Sequence, residues 1–260
     1  MFNVGVEVGV KRFLFISAAF LLLATPADAF AMHIGEGILP AGWAASWYAV
    51  SVPFVALGLY KLKRDKTAVG MKPLLGMMAA AVFIISCMPV PVPTAGTCSH
   101  PAGTAMAAIL IGPLYSILAT AAALLLQALF LAHGGITTWG ANICSMGVVG
   151  SFAGYAVFKG LTRLNAPLVV AAFFAGVIGD WATYTTTSFI LASALHSPGE
   201  FFKLFYTILF AFVPTQVPLG IIEGFMTAGA VKFLYGRRPE LFRGIAGAKT
   251  FTRPGKEAEA

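Results

Sequence analysis

Charged side chains are scarce in this sequence. Only 10% of its 260 residues are Asp, Glu, Lys or Arg, while 58% are hydrophobic. Soluble domains carry about 25% charged residues, so a separate soluble domain is excluded and a polytopic membrane protein is expected. Cysteine is also sparse: Cys87, Cys98 and Cys144 form neither a C-x-x-C pair nor an even framework, which argues against a disulfide scaffold and reads as small apolar residues. The metalloprotease pattern H-E-x-x-H and the phosphate-binding pattern G-x-x-x-x-G-K-[ST] are both missing, so a transporter built on this chain would draw its energy from elsewhere. The net charge of +7 sits in short connections and the tail. That placement is a topology signal rather than a nucleic-acid patch.

What the chain has in quantity is apolar runs. A helix needs about 20 apolar residues to cross a bilayer. Spans are expected from about Gly42 to Tyr60, Pro73 to Met88, Pro101 to Ile111, Leu114 to Leu131, Ile143 to Phe158, Pro167 to Leu195 and Phe202 to Leu234. The third is short, and Gly112-Pro113 reads as a tight turn. Pro89, Pro91 and Pro93 forbid helix after the second. Pro214 and Pro218 should bend the seventh. The fold class expected is all-α, with seven transmembrane helices, the mature N-terminus outside and the C-terminus cytoplasmic. With this parity Lys61 to Lys66, Lys159 to Arg163 and Arg237-Arg238 all fall inside, as the positive-inside rule requires. The loops holding His33, His100, His133 and His196 all fall outside. Merging the third and fourth spans would break the rule.

Upstream of the first span, Lys11-Arg12, an apolar run from Phe13 to Ala24 and the triplet Ala29-Phe30-Ala31 form the pattern of a secretory signal peptide. The expected organisation is a cleaved leader over 1–31, a seven-helix membrane domain over 32–235 and a cytoplasmic, disordered basic tail over 236–260. Cleavage after Ala31 makes Met32 the first residue and His33 the second. A free amine, the next amide nitrogen and an imidazole on residue two can then chelate one ion through a five-membered and a six-membered ring. Planar nitrogen donors suit Ni(II), Cu(II) or a similar ion. Ala27-Asp28-Ala29 offers a competing cut that leaves Phe30 first, and an uncleaved first helix with an ordinary loop histidine is the bland alternative. His100 is the second leading imidazole. His133 reads either as a supporting partner or as a plain loop residue, His196 as solvated and Cys98 as a poor constant ligand in an oxidising compartment. Glu36 either orients an imidazole or faces solvent. Asn142, with Thr137 and Thr138, either lines the lid of a site or belongs to a capped loop.

Asp180 and Glu223 lie within apolar runs, where ionisable groups are expensive. They are expected to be protonated, hydrogen-bonded to neighbours such as Tyr184 and Gln216, or docked against a partner, and not to bind metal. Small residues recur every four positions at Ala41, Ala45 and Ala49, at Gly150 and Gly154, and at Gly220 and Gly224. Such stripes allow close helix approach.

Four stretches resemble one family. Met32-His33-Ile34-Gly35-Glu36-Gly37 resembles the M-H-I-x-[DE]-G start of the CbiM/NikM substrate-capture (S) components of cobalt and nickel energy-coupling factor (ECF) transporters. Thr97-Cys98-Ser99-His100 with Ala108 to Pro113, His133 to Asn142 and Pro218 to Gly224 resemble its further signatures, in order, over about Met32 to Tyr235. Cys98 stands where a serine is expected. The resemblance implies a seven-helix S component whose square-planar site is built from the Met32 amine, the His33 amide and imidazole, and the His100 imidazole. It implies Co(II) for cobalamin synthesis, or Ni(II), as transported substrate and no cofactor. Its partners would be a transmembrane coupling (T) protein, ATP-binding (A) subunits and a small CbiN/NikN-type membrane protein in the cell inner membrane. A stand-alone proton-coupled transporter and an intramembrane enzyme are the competing readings.

Overall fold

The computed structural model describes residues 33–64, 68–87, 90–92 and 97–242. The leader over 1–31, Met32 and the tail from 243 onward lie outside these residues. So does the side chain of Cys98. Seven helices carry the described chain: α1 Ala41–Arg64, α2 Ala68–Ser86, α3 Thr104–Ile111, α4 Pro113–Phe130, α5 Trp139–Arg163, α6 Leu168–Leu195 and α7 Phe201–Arg237. A single turn, Pro239–Phe242, follows. Five of them, α1 and α4 to α7, are long and apolar enough to cross a membrane, and α2 contributes a shorter apolar stretch, Lys72–Ser86. The chain is a multi-pass membrane protein built on helices.

Two departures from the expected pattern have clear causes. After Ser86 the proline-spaced segment forms a small antiparallel hairpin, β1 Val90–Val92 with β2 Thr97–Ser99, instead of extending α2 to Met88. Alternate prolines suit an extended edge strand. The third span is only eight residues long, about 12 Å at 1.5 Å per residue, too short to cross a bilayer. All eight of its residues are buried. Gly112, at φ 85° and ψ 155°, lets the chain turn directly from α3 into α4. Ser116 of α4 reaches back to donate to the Thr104 carbonyl at 3.0 Å.

The helices run between two ends. At one, Ile34, Leu39, Ala44, Ala141, Ile190 and Leu191 pack together and join the start of α1, the start of α5 and the end of α6. At the other, Tyr115, Phe158, Leu168, Val231 and Phe242 join the start of α4, the end of α5, the start of α6 and the end of α7. The Lys61 ammonium lies 4.9 Å over the Tyr115 ring there. Lys63, Arg64, Lys159, Arg163, Arg237 and Arg238 occupy the same end of their helices.

Glycines set the helix spacing inside. A Cβ on Gly154 would meet Ala105 Cβ at 2.6 Å, and one on Gly224 would meet Phe173 at 2.9 Å. These two stripes serve internal packing. The alanine stripe of α1 instead faces outward, with Ala41, Ala45 and Ala49 all exposed. The exposed phenylalanines of α7, such as Phe210 and Phe225, suit an apolar solvent.

Candidate metal centre

Three histidines from three distant segments meet at the end formed by α1, α5 and α6. His33 precedes α1, His100 precedes α3 and His133 follows α4. One ring nitrogen on each lies within 4.8 Å of the other two. His33 and His100 stack at 24° with centroids 4.8 Å apart, and His33 Nδ1 lies 3.2 Å from His100 Nε2. Two nitrogens bound cis to one ion at about 2.0–2.1 Å each stand about 2.9 Å apart, so this pair is close to chelating separation. His33 and His100 are buried and His133 half-buried. Burial pushes all three imidazoles below their ordinary range, His100 to about 3. Neutral rings keep their lone pairs for a metal.

The segments carrying His100 and His33 are held from behind. Tyr184 Oη accepts from the His100 amide at 3.1 Å and donates to the His100 carbonyl at 3.0 Å. His100 Nδ1 sits 3.0 Å from the Pro101 carbonyl, which places the proton on Nδ1 and leaves Nε2 free to coordinate. Asn142 clamps the residue after His33: its Oδ1 accepts from the Ile34 amide at 2.8 Å, and its Nδ2 donates to the Ile34 carbonyl at 3.2 Å. Thr138 Oγ1 donates to the same carbonyl at 2.5 Å. Asn142 lies inside α5, and Thr138, the N-cap residue of that helix, makes no side-chain capping bond. Both side chains reach Ile34 instead.

Glu36 does not reach an imidazole. Its exposed carboxylate accepts from the Thr137 amide at 3.1 Å, and hydrogen bonding from Thr137 holds it below the usual carboxylate range. It ties the His33 segment to the loop after α4. Gly134 and Gly135 make that crossing possible. Gly134 has φ 82°, and a Cβ there would sit 3.0 Å from His33 Cβ; a Cβ on Gly135 would meet Glu36 Cα at 2.6 Å. Tyr48 donates to the Ile136 carbonyl and fixes the same loop to α1.

His133 follows α4 in a glycine-rich loop, and its ring lies in the cluster, 4.6 Å from the His33 centroid. His196 stands apart, exposed at the end of α6, with Nδ1 2.8 Å from the Ala192 carbonyl. Asp180 and Glu223 are buried side by side, away from the histidines. Glu223 accepts from the amides of Ala102 and Gly103 at 2.5 and 2.9 Å. It therefore holds the turn between His100 and α3, a use of this acid that its place in an apolar run did not announce. Among the described residues no amide, indole or hydroxyl donor reaches the Asp180 oxygens; the neighbouring Glu223 carboxyl is their polar contact.

Residues 33–241 match the family described as CbiM, cobalt uptake substrate-specific transmembrane region. A "Cobalt transport protein CbiM" of Geobacter sulfurreducens is 60% identical over 222 residues, 85% of this chain; that protein is longer, and the chain spans 64% of it. A protein of the same name from Sorangium cellulosum is 56% identical over 81% of this chain and 94% of its own length. A solved structure described as a truncated transition metal transporter superposes with a TM-score of 0.70 at 27% identity, over 79% of this chain and 99% of that one. These relatives are named as transport proteins, not enzymes.

Proposed function

Since the chain belongs to the CbiM family, we propose that it is the metal-capture component of an energy-coupling-factor importer, taking up Co(II) as substrate at the histidine end. The observation that carries this reading is the trio of neutral imidazoles, two buried and one half-buried, with His33 Nδ1 and His100 Nε2 at 3.2 Å. The planar set is the Met32 amine, the His33 amide and Nδ1, and His100 Nε2. In that set His33 Nδ1 and His100 Nε2 are cis, as their spacing requires. Asn142 and Glu36 hold the His33 segment in place for it. Cobalt is favoured over nickel by the names of the relatives; Ni(II) is the alternative cargo, since four planar nitrogens suit it equally well.

The histidine end faces outward and the basic end the cytoplasm, in the cell inner membrane, because positive charge collects at the end opposite the histidines. Cysteines placed at Lys63 and Pro198 are then labelled from opposite faces; labelling from one face refutes this. ATP-binding subunits, a transmembrane coupling protein and a small CbiN/NikN-type protein complete the importer. Cells expressing the chain alone should accumulate little Co(II), and adding the coupling and ATP-binding subunits should restore uptake. Strong ATP-independent uptake by the purified chain in liposomes would favour a stand-alone transporter instead.

A further inference from the structure

We propose that His133 is an apical ligand of the captured ion and that it gives the site its preference for Co(II) over Ni(II). This deepens the capture reading and rests on it.

The capture site proposed above takes its four planar nitrogens from the Met32 amine, the His33 amide, His33 Nδ1 and His100 Nε2. His133 is left over, yet it belongs to the same cluster, with a ring nitrogen within 4.8 Å of the other two. Among the described residues its Nε2 is buried without a hydrogen-bond partner, an arrangement that costs free energy unless something binds there. The His133 ring stands at 71° to the His33 ring and 46° to the His100 ring, whereas His33 and His100 lie within 24° of each other. The third imidazole approaches from a different side.

His133 is also fixed independently of the other two. Its amide donates to the Gln127 carbonyl at 3.2 Å, which ties it to the end of α4. The residues on either side, Ala132 at φ 49° and Gly134 at φ 82°, are both left-handed. Alanine rarely adopts that conformation without a reason in the surrounding structure. Gly134 in turn lies against His33, where a Cβ would come within 3.0 Å of His33 Cβ. The backbone is thus wound to present His133 at the chelating face of His33.

The two candidate ions respond differently to such a donor. In a strong planar nitrogen field, Ni(II) keeps its axial orbital filled and repels an apical ligand. Co(II) has one electron fewer and leaves that orbital half-filled, so it gains from one apical nitrogen. A planar set alone does not favour cobalt; a planar set under a fixed imidazole does.

The test uses the mature chain in detergent, without oxygen, titrated with Co(II) or Ni(II) alone. In wild type, the electron paramagnetic resonance of bound Co(II) should show the triplet splitting of a single axial nitrogen. Labelling histidine with the heavy nitrogen isotope should convert it to a doublet. H133L should remove the splitting and weaken Co(II) by about tenfold or more, the scale for a perturbed metal environment. It should weaken Ni(II) far less, so the Co-to-Ni affinity ratio falls. Equal weakening of both ions would make His133 a support for His33, and an unchanged ratio or a retained splitting would likewise overturn the apical assignment. H33A separates the two readings. If wild type binds Co(II), H33A loses it and H133L leaves the ratio intact, only the apical assignment falls. If H33A binds Co(II) as well as wild type, the capture site itself is wrong.

Discussion

Replacing Asn142 by alanine should damage metal binding without touching any proposed ligand. The Ile34 amide has one acceptor, Asn142 Oδ1 at 2.8 Å. The Ile34 carbonyl has two donors, Asn142 Nδ2 at 3.2 Å and Thr138 Oγ1 at 2.5 Å. Asn142→Ala therefore strands a buried donor, and the carbonyl stays paired. A stranded buried donor costs about 1–3 kcal/mol and a lost net hydrogen bond about 1 kcal/mol, so roughly 2–4 kcal/mol is withdrawn from the bound position of the His33 segment. If that segment must be in place to chelate, the Kd rises by the same free energy, about 30-fold to several hundred-fold at 1.4 kcal/mol per tenfold. Thr138→Val removes one of two donors to a carbonyl that keeps its other partner. It should cost about 1 kcal/mol, or several-fold in Kd. Calorimetric titration of the purified mature variants with Co(II) measures both. The ordering matters more than the sizes: Thr138→Val weakening binding as much as Asn142→Ala, or Asn142→Ala leaving it unchanged, would refute the clamp.

Other consequences follow from the same geometry. Gly135→Ala puts a Cβ 2.6 Å from Glu36 Cα and should weaken Co(II) binding sharply in the same titration, whereas Gly229→Ala, with nothing within 4 Å in mid-helix, should be tolerated or raise Tm slightly. Glu223→Ala strands the amides of Ala102 and Gly103 and should cost about 2–5 kcal/mol, seen as a lower Tm in detergent; Glu223→Gln keeps one acceptor and should cost less. The imidazole pKa values fix the sign of two pH effects. All three are lowered by burial, so below about 6.5 the unfolded chain binds protons that the folded chain refuses. The metal-free protein should therefore lose stability as pH falls from about 6.5 towards the folded values, which for His100 is about 3, in chemical unfolding series. Burial holds all three imidazoles below their ordinary value of 6.5, so between pH 7 and 8 protons released on binding should come from the Met32 amine, of free pKa about 7.7–8.0, and the His33 amide, as proton counts from buffers of different ionisation heat would show.

Much of this was written locally in the chain. Apolar run length and the spacing of Lys and Arg gave the helix order and put four histidines at one end. The local N-terminal sequence singled out His33, and the topology, with the place of His100 at the opening of a short helix, paired it with His100. What stayed hidden depended on contacts between distant residues. His133 sits in a glycine-rich stretch that looks like any polar loop; only the left-handed turn at Ala132 and the contact of Gly134 with His33 bring its ring into the cluster. Asn142 bonds a residue 108 positions away, which no periodicity encodes. Glu36 is close to His33 in sequence, but its carboxylate turns to Thr137. The apolar run of α3 hid its shortness in part, because a buried eight-residue helix and a membrane span share the same composition.

The central claim is that the metal site is completed by the amine that signal cleavage creates at Met32. Comparing Co(II) binding by the chain beginning at Met32 with binding by the precursor that retains 1–31 tests it most directly. One Co(II) should bind tightly per mature chain, and the precursor should bind none tightly. Equal affinity in the two forms would contradict it.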